Sequence, residues 1–561
     1  MNPNNQYTLE SIQNFKGKYP KQLWYLFLVE MWERFTFYGM RALLGLYISH
    51  LILSVNYHPA NEADMHKAIS EYEKEHNEKV DVNHPKYYII TSEQKYKDDA
   101  EAISNKRYGT IQAFIYAMAF VGGLFADKLF GFRRSIFWGG LLMAIGTFLM
   151  AVPGSFTFYL GVSVLILGNG FFKPNISTMV GALYKEGDAR RDAGFSLFYS
   201  GINIGAFLSG LTIAYVGTSY SWSLGFSLAG ICMLLGLGLF IFTQKTLGPI
   251  GLPPQPEKLN TKILGLTKGW LLQLATLLFI PVFFLLVYFP FDIDLTILVG
   301  KNKDGSPYIV QFTDVIFILA AIITFIYLIF EIVKATKEEA GKLIAATILI
   351  FFSVLFWSFF EQGGGSLNFY ANSNVESHGL NMTQVNNMVN ALWVIILAPL
   401  VGLLWLFLNK YNKEPNTVVK FGLGFLFLGL GFWVFYASKF SANELGKTPL
   451  LMFVLAYFVI TIGELCLSPI GLSMVTKLSP KRLYGVMMGT WFLASAFGQY
   501  GAGMIGAALA KGNNTDENLT NLQKLEQYTS GYETIAYISI IAGIILIALS
   551  PFIRKLMQDV K

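Results

Sequence analysis

Between Glu30 and Arg41 the chain reads Glu-Met-Trp-Glu-Arg-Phe-Thr-Phe-Tyr-Gly-Met-Arg, inside an otherwise apolar run from about Leu23 to Leu53. Four formal charges sit where a membrane helix normally has none. Facing lipid, they would cost about 2.5–3.5 kcal/mol each, roughly 10–14 kcal/mol together. Positions 30, 33, 34, 37, 38 and 41 follow the helical i, i+3, i+4, i+7 rule, so Glu30, Glu33, Arg34, Tyr38 and Arg41 share one stripe. Such a stripe must face a polar cavity or itself, and two acids against two bases make it neutral. Ionisable groups held this way at membrane depth suit the movement of ions or charged solutes.

Other apolar runs carry polar residues at similar spacing. Asn169 is followed one turn later by Lys173 and then Pro174, which frees a carbonyl and permits a kink. A lysine near mid-span needs a carboxylate partner. Glu464 is one candidate, with Ser468 a turn on and Pro469 beside it. Glu361 ends another run, before Gln362 and three glycines that permit bending at an acidic, wet end. Tyr199 with Asn203, Gln112 with Tyr116, and Trp491 with Ser495 stand one turn apart, and Asn390 stands alone. Tyr116, Asn203, Asn390 and Trp491 are equally suited to gluing helices together.

Several motifs fail. Gly446-Lys447-Thr448 resembles the end of a phosphate-binding loop, but Ser441 replaces the leading glycine and no βα unit precedes it. No HExxH or GxSxG pattern is present. Five of six histidines (His50, His58, His66, His76, His84) lie at or beyond the end of the first apolar run, and His378 lies in a loop. An enzyme in the membrane would ordinarily need a His, Cys or metal cluster at depth. A receptor would not require acids interleaved with arginines along one helix.

These residues must be positioned by membrane helices. The chain is 53% hydrophobic, 16% aromatic and only 14% charged, which excludes an ordinary soluble domain. Fourteen apolar runs reach membrane-spanning length: 21–53, 107–129, 134–152, 156–184, 191–216, 221–243, 269–289, 311–335, 341–361, 382–409, 417–438, 448–477, 483–511 and 531–555. The fold class is therefore an all-α polytopic membrane protein. Basic residues mark alternate loops, from Lys128, Arg133 and Arg134 through Lys185, Arg190 and Arg191 to Lys477, Lys481 and Arg482. That pattern places both termini in the cytoplasm. The polar first 20 residues lack an apolar core, so no signal peptide is expected to be removed. The net charge of +6 is spent on topology, and no nucleic-acid partner is read from it. Cys232 and Cys466 both fall in apolar runs, against a disulfide framework.

The segment 56–106 is expected to be a solvated outer loop, partly helical between Glu62 and Glu78. The Pro-rich stretch 244–268 reads as a cytoplasmic linker. The expected organisation is a cytoplasmic N-terminus (1–20), a six-helix bundle (21–243), the linker, a two-helix insertion (269–335) and a second six-helix bundle (341–555). Two facing bundles suit a transporter.

Glu30-Met31-Trp32-Glu33-Arg34-Phe35 resembles the ExxERF motif of the proton-dependent oligopeptide transporters, members of the major facilitator superfamily. Residues 168–177 (Gly-Asn-Gly-Phe-Phe-Lys-Pro-Asn-Ile-Ser), 198–205 (Phe-Tyr-Ser-Gly-Ile-Asn-Ile-Gly) and 463–469 (Gly-Glu-Leu-Cys-Leu-Ser-Pro) are similar to further stretches of that family. Residues 123–134 look like the superfamily's loop motif, one residue longer than its commonest form. The likeness spans essentially the whole chain. It implies the major facilitator fold and a proton-coupled symporter importing di- and tripeptides by alternating access, without a cofactor and driven by the proton gradient. The expected setting is the inner (plasma) membrane, with a single chain sufficient. It implies that Arg34, Tyr38, Arg41, Tyr116, Lys173, Asn203, Asn390, Glu464, Ser468, Trp491 and Ser495 bind substrate. Glu30, Glu33, Arg34 and Glu361 would couple protons, and Arg41–Glu361 and Lys173–Glu464 would be alternating gate salt bridges. The second apolar run lacks the histidine of mammalian members, so coupling rests on carboxylates. The alternative is the same fold carrying nitrate or a modified amino compound.

Overall fold

A computed structural model describes residues 7–185, 188, 190–263, 265–300, 307–480, 483–511 and 520–558, without the side chains of 192, 298, 299, 468–470, 472, 473, 476 and 484–486. The membrane helices are, in order, α1 (Lys21–Val55), α2 (Gln94–Phe125), α3 (Phe132–Ala151), α4 (Ser155–Ala182), α5 (Arg190–Ser209), α6 (Trp222–Thr243) and α7 (Lys268–Tyr288). They continue with α8 (Phe312–Lys334), α9 (Lys337–Phe360), α10 (Met382–Lys410), α11 (Thr417–Ala437), α12 (Leu450–Leu478), α13 (Tyr484–Lys511) and α14 (Asn521–Met557). Among the described residues, thirteen helices are long and apolar enough to cross a membrane. The further helix, α13, has 28 residues and lies against α2 and α9. At about 1.5 Å per residue it too exceeds a bilayer core.

Packing divides the helices into two halves, the two bundles of a major facilitator fold. In the first, α1 packs on α5 and α6, and α4 on α2 and α3. In the second, α11 packs on α12 and α14, and α9 on α13 and α14. The halves meet where α2 lies along α13 and where α5 meets α10. The first seam is close because both partners present glycine. A Cβ on Gly109 would fall 2.5 Å from Gly503 Cα, and one on Gly503 would fall 2.7 Å from Gly109 Cα. The inserted pair α7 and α8 flanks this assembly, with Phe283 and Phe317 packed on Phe114 of α2.

Two segments depart from the hydropathy reading. Helix α2 begins at Gln94, well before the apolar run at 107, because polar turns remain helical once they leave the bilayer. The rest of the polar insertion carries the helix expected between Glu62 and Glu78, and it is also docked rather than merely solvated. Helix Glu62–His76 is capped by Asn61, whose side chain accepts from Asp64 N at 2.9 Å, and ends at Asn77 with φ 54°. It crosses to the second half, where Lys447 pairs with Glu75 at 3.1 Å, while Lys86 beyond it donates to Asn372 at 3.0 Å. The segment 244–268 contains helix Pro256–Asn260 and a two-stranded hairpin, Lys262–Ile263 with Leu266–Thr267. Its start is pinned to the α2–α3 turn, where Arg133 donates to Ile250 O at 2.7 Å. Gly131 (φ +72°) makes that approach possible, since a Cβ there would meet Pro253 N at 2.5 Å.

Candidate functional site

The face of the bundle holding Lys21 is called the near face below, and that holding Val55 the far face. Helix α1 carries its charges between them. Arg34 Nε lies 2.9 Å from Glu30 Oε1 and 2.5 Å from Glu33 Oε2, and all three side chains are buried. Asn169 of α4 donates to the other Glu33 oxygen at 3.0 Å. Arg34 Nη2 is buried and has no hydrogen-bond partner among the described residues. The Arg34 guanidinium also sits 5.3 Å from the Phe37 ring centre.

Two turns along α1, Arg41 belongs to a different group. Its Nη2 pairs with Glu361, which follows α9, and its Nε donates to the Tyr108 hydroxyl at 2.5 Å. The Tyr38 ring lies 5.8 Å from the same guanidinium. The glycines after Glu361 make this contact possible rather than simply bending the helix. A Cβ on Gly364 would collide with the Tyr108 hydroxyl, and one on Gly365 would lie 2.7 Å from Asn105 Oδ1. Asn386 of α10 ties down the same turn by donating to Gly363 O at 2.8 Å, and receives the Tyr457 hydroxyl at 2.7 Å.

Lys173 Nζ stands 3.7 Å from the centre of the Tyr116 ring, a cation–π contact, and makes no ion pair within 4.0 Å among the described residues. The carboxylates of Glu30, Glu33 and Glu361 all attract it through space. Glu464, buried in α12, accepts from Asn390 at 3.0 Å, and the same amide donates to Thr461 at 3.1 Å. Lys173 and Glu464 are thus parted while Arg41 and Glu361 are joined. Trp491 packs its ring on Gly471, and Ser495 donates to Trp491 O at 3.3 Å. Asn203 donates to Tyr199 O at 3.1 Å, a bond within its own helix. The side chains of Ser468 and Pro469, and residues Lys481 and Arg482, lie outside the described residues.

Tyr108 and Asn386 are the residues a sequence reading passes over. Tyr108 stands four residues before Gln112 and eight before Tyr116, so continuing that stripe by one turn finds it.

Charged groups from two facing helical bundles, gathered at membrane depth, define a membrane transporter. The model of the POT family matches residues 133–525. The uncharacterized transporter YclF of Bacillus subtilis (strain 168) is 34% identical over 97% of this chain and 96% of its own. The peptide transporter YePEPT of Yersinia enterocolitica is 31% identical over 96% of each chain. The crystal structure of a peptide transporter POT in complex with sulfate superposes with a TM-score of 0.71 at 32% identity, covering 98% of both chains. The chain belongs to the POT family.

Proposed function

We propose that this chain is a proton-coupled symporter that imports di- and tripeptides across the inner (plasma) membrane, with both termini cytoplasmic. One chain carries the pathway, and the proton gradient supplies the drive. The working units are the bundles 21–243 and 341–555, joined through the linker 244–268 and flanked by the insertion 269–335. The observation that carries the substrate class is the placement of charge. Cationic Arg34 and Lys173 belong to the first half, and anionic Glu464 to the second. A short peptide is a zwitterion, so its carboxylate suits the two cations and its amino end suits Glu464. The buried Arg34 Nη2, without a hydrogen-bond partner among the described residues, supports a planar carboxylate as its acceptor. Tyr38, Tyr116, Asn203 and Asn390 assist, and Trp491 and Ser495 shape the side-chain pockets.

With the termini cytoplasmic, the far face is the outer one. The described polar contacts between halves gather there: Arg41–Glu361, Lys447–Glu75, Asn368 to Ala42 O at 3.2 Å, and Asn381 to Thr218 at 2.7 Å. That distribution fits a transporter closed to the outside, with the Lys173–Glu464 gate open. Protonating Glu361 removes its hold on Arg41 and lets the outer face part. Protonating Glu33 releases Arg34 towards the peptide carboxylate, with Glu30 and Glu33 holding the proton through the turn. Proton and peptide then bias one rocking equilibrium, which is the physical content of symport.

Uptake of a labelled dipeptide into proteoliposomes under an imposed pH gradient tests this reading, with tripeptides, amino acids and nitrate as competitors. Gradient-dependent uptake blocked by tripeptides is expected. Folded protein without such uptake would overturn it, and competition by nitrate alone would favour the alternative cargo.

A further inference from the structure

Arg41–Glu361 is not the only buried ion pair between the halves on the far face. Lys524, in the first turn of α14, places Nζ 2.7 Å from Glu101 Oε2 and 3.1 Å from Asp98 Oδ1, both on α2. The side chains of Lys524 and Glu101 keep only 8% and 4% of their exposure, so this is not a solvated surface pair. Glu101 Oε1 is buried without a hydrogen-bond partner among the described residues. Asp98 also accepts from Gln94 at 2.8 Å. Neighbouring Lys97 turns its ammonium to Ile90 O at 2.8 Å, leaving the two acids to Lys524.

As permanent glue this arrangement is poor. A buried ion pair recovers little more than its desolvation cost, and apolar side chains of similar volume hold at least as well. As a lock it is apt, because both charged partners regain favourable hydration when the face opens, whereas separated apolar surfaces meet water at a cost. Resting on the transport reading above, we propose that Lys524 with Glu101 and Asp98 is a second outer gate lock, tying the polar start of α2 to the first turn of α14. It would break together with Arg41–Glu361 in each cycle and set how often the outer face opens.

Spin labels at Tyr220→Cys and Phe440→Cys, exposed positions on the far face of the two halves, read the opening as a distance distribution in full-length, membrane-reconstituted protein. Lys524→Ala and Glu101→Gln are each expected to raise the ratio of separated to closed populations about tenfold. Lys524→Arg, which keeps the charge, restores the parent ratio. Parent-like distributions in both Lys524→Ala and Glu101→Gln would overturn the proposal. So would failure of both variants to fold, since the pair would then be a folding element. A parent protein that moves no peptide would sink the transport reading, while the distance ratio still reports on the lock.

Discussion

Glu30, Glu33 and Arg34 hold one another within about a turn of α1, whereas Arg41, further along the same helix, reaches Glu361 in the other half. The first group is braced by Asn169 of the same half and needs no contact across the seam. The second exists only while the halves touch at the far face. Charge separates them as well. With Arg41 engaged elsewhere, two acids remain beside Arg34, and Lys173 is the cation whose field completes the balance. A group held within one half can change protonation without moving the bundles. A group shared between halves changes conformation when it changes charge.

The largest effect that would sharpen this contrast comes from Glu33→Gln. Proton-driven peptide accumulation should fall to the equilibrium level, while peptide counterflow persists. Uphill uptake by this variant would remove Glu33 from the coupling group. Next is Glu361→Gln, which leaves Arg41 buried without its anion. Breaking one partner of a buried pair costs about 3 kcal/mol, roughly two orders of magnitude in a two-state ratio. Distances across the far face should lengthen in this variant and stay parental in Glu33→Gln. If both variants shifted the distances alike, the division between the groups would fail. Asn169→Ala is smaller. It strips one donor from Glu33, a loss of about 1–3 kcal/mol, and should lower accumulation several-fold with counterflow intact. Counterflow falling in parallel would mean that Asn169 shapes the peptide site instead.

How far these groups were legible in the sequence follows the same division. The α1 cluster could be found because its members lie a turn apart in one run, where charge is costly. Read from its own run, Glu361 was a wet helix end, and only the family resemblance paired it with Arg41, because that partner stands 320 residues away and hydropathy carries no record of which ends meet. Tyr108 was hidden for a related reason, since a tyrosine in an apolar run reads as core until a guanidinium is placed beside it. The helices themselves were plain from their apolar runs. Their polar extensions were not: residues 94–106 read as loop, yet they form the start of α2 and carry Asp98 and Glu101 to Lys524.

The contrast reaches beyond the membrane in the segment between α1 and α2. Lys86 is a contact between halves, donating to Asn372, and burial pushes its ammonium down to about 8 from the ordinary 10.5. Docked, Lys86 therefore loses its proton at a lower pH than when the segment lifts away. Between pH 10.5 and about 8 the lifted form binds more protons, so lowering pH through that window favours lifting. Below it both forms are protonated and the dependence stops. Amide exchange along Glu62–His76, corrected for intrinsic rates, should show protection falling by about two orders of magnitude as pH drops through the window. Transport at neutral pH should barely move, because the titration lies above it. Lys86→Met removes the titrating group while keeping the apolar stem, so its protection should be flat over the same range. A window that survived in Lys86→Met would assign the dependence to another group, and Lys86 would then be a buried lysine that holds the halves together without sensing them.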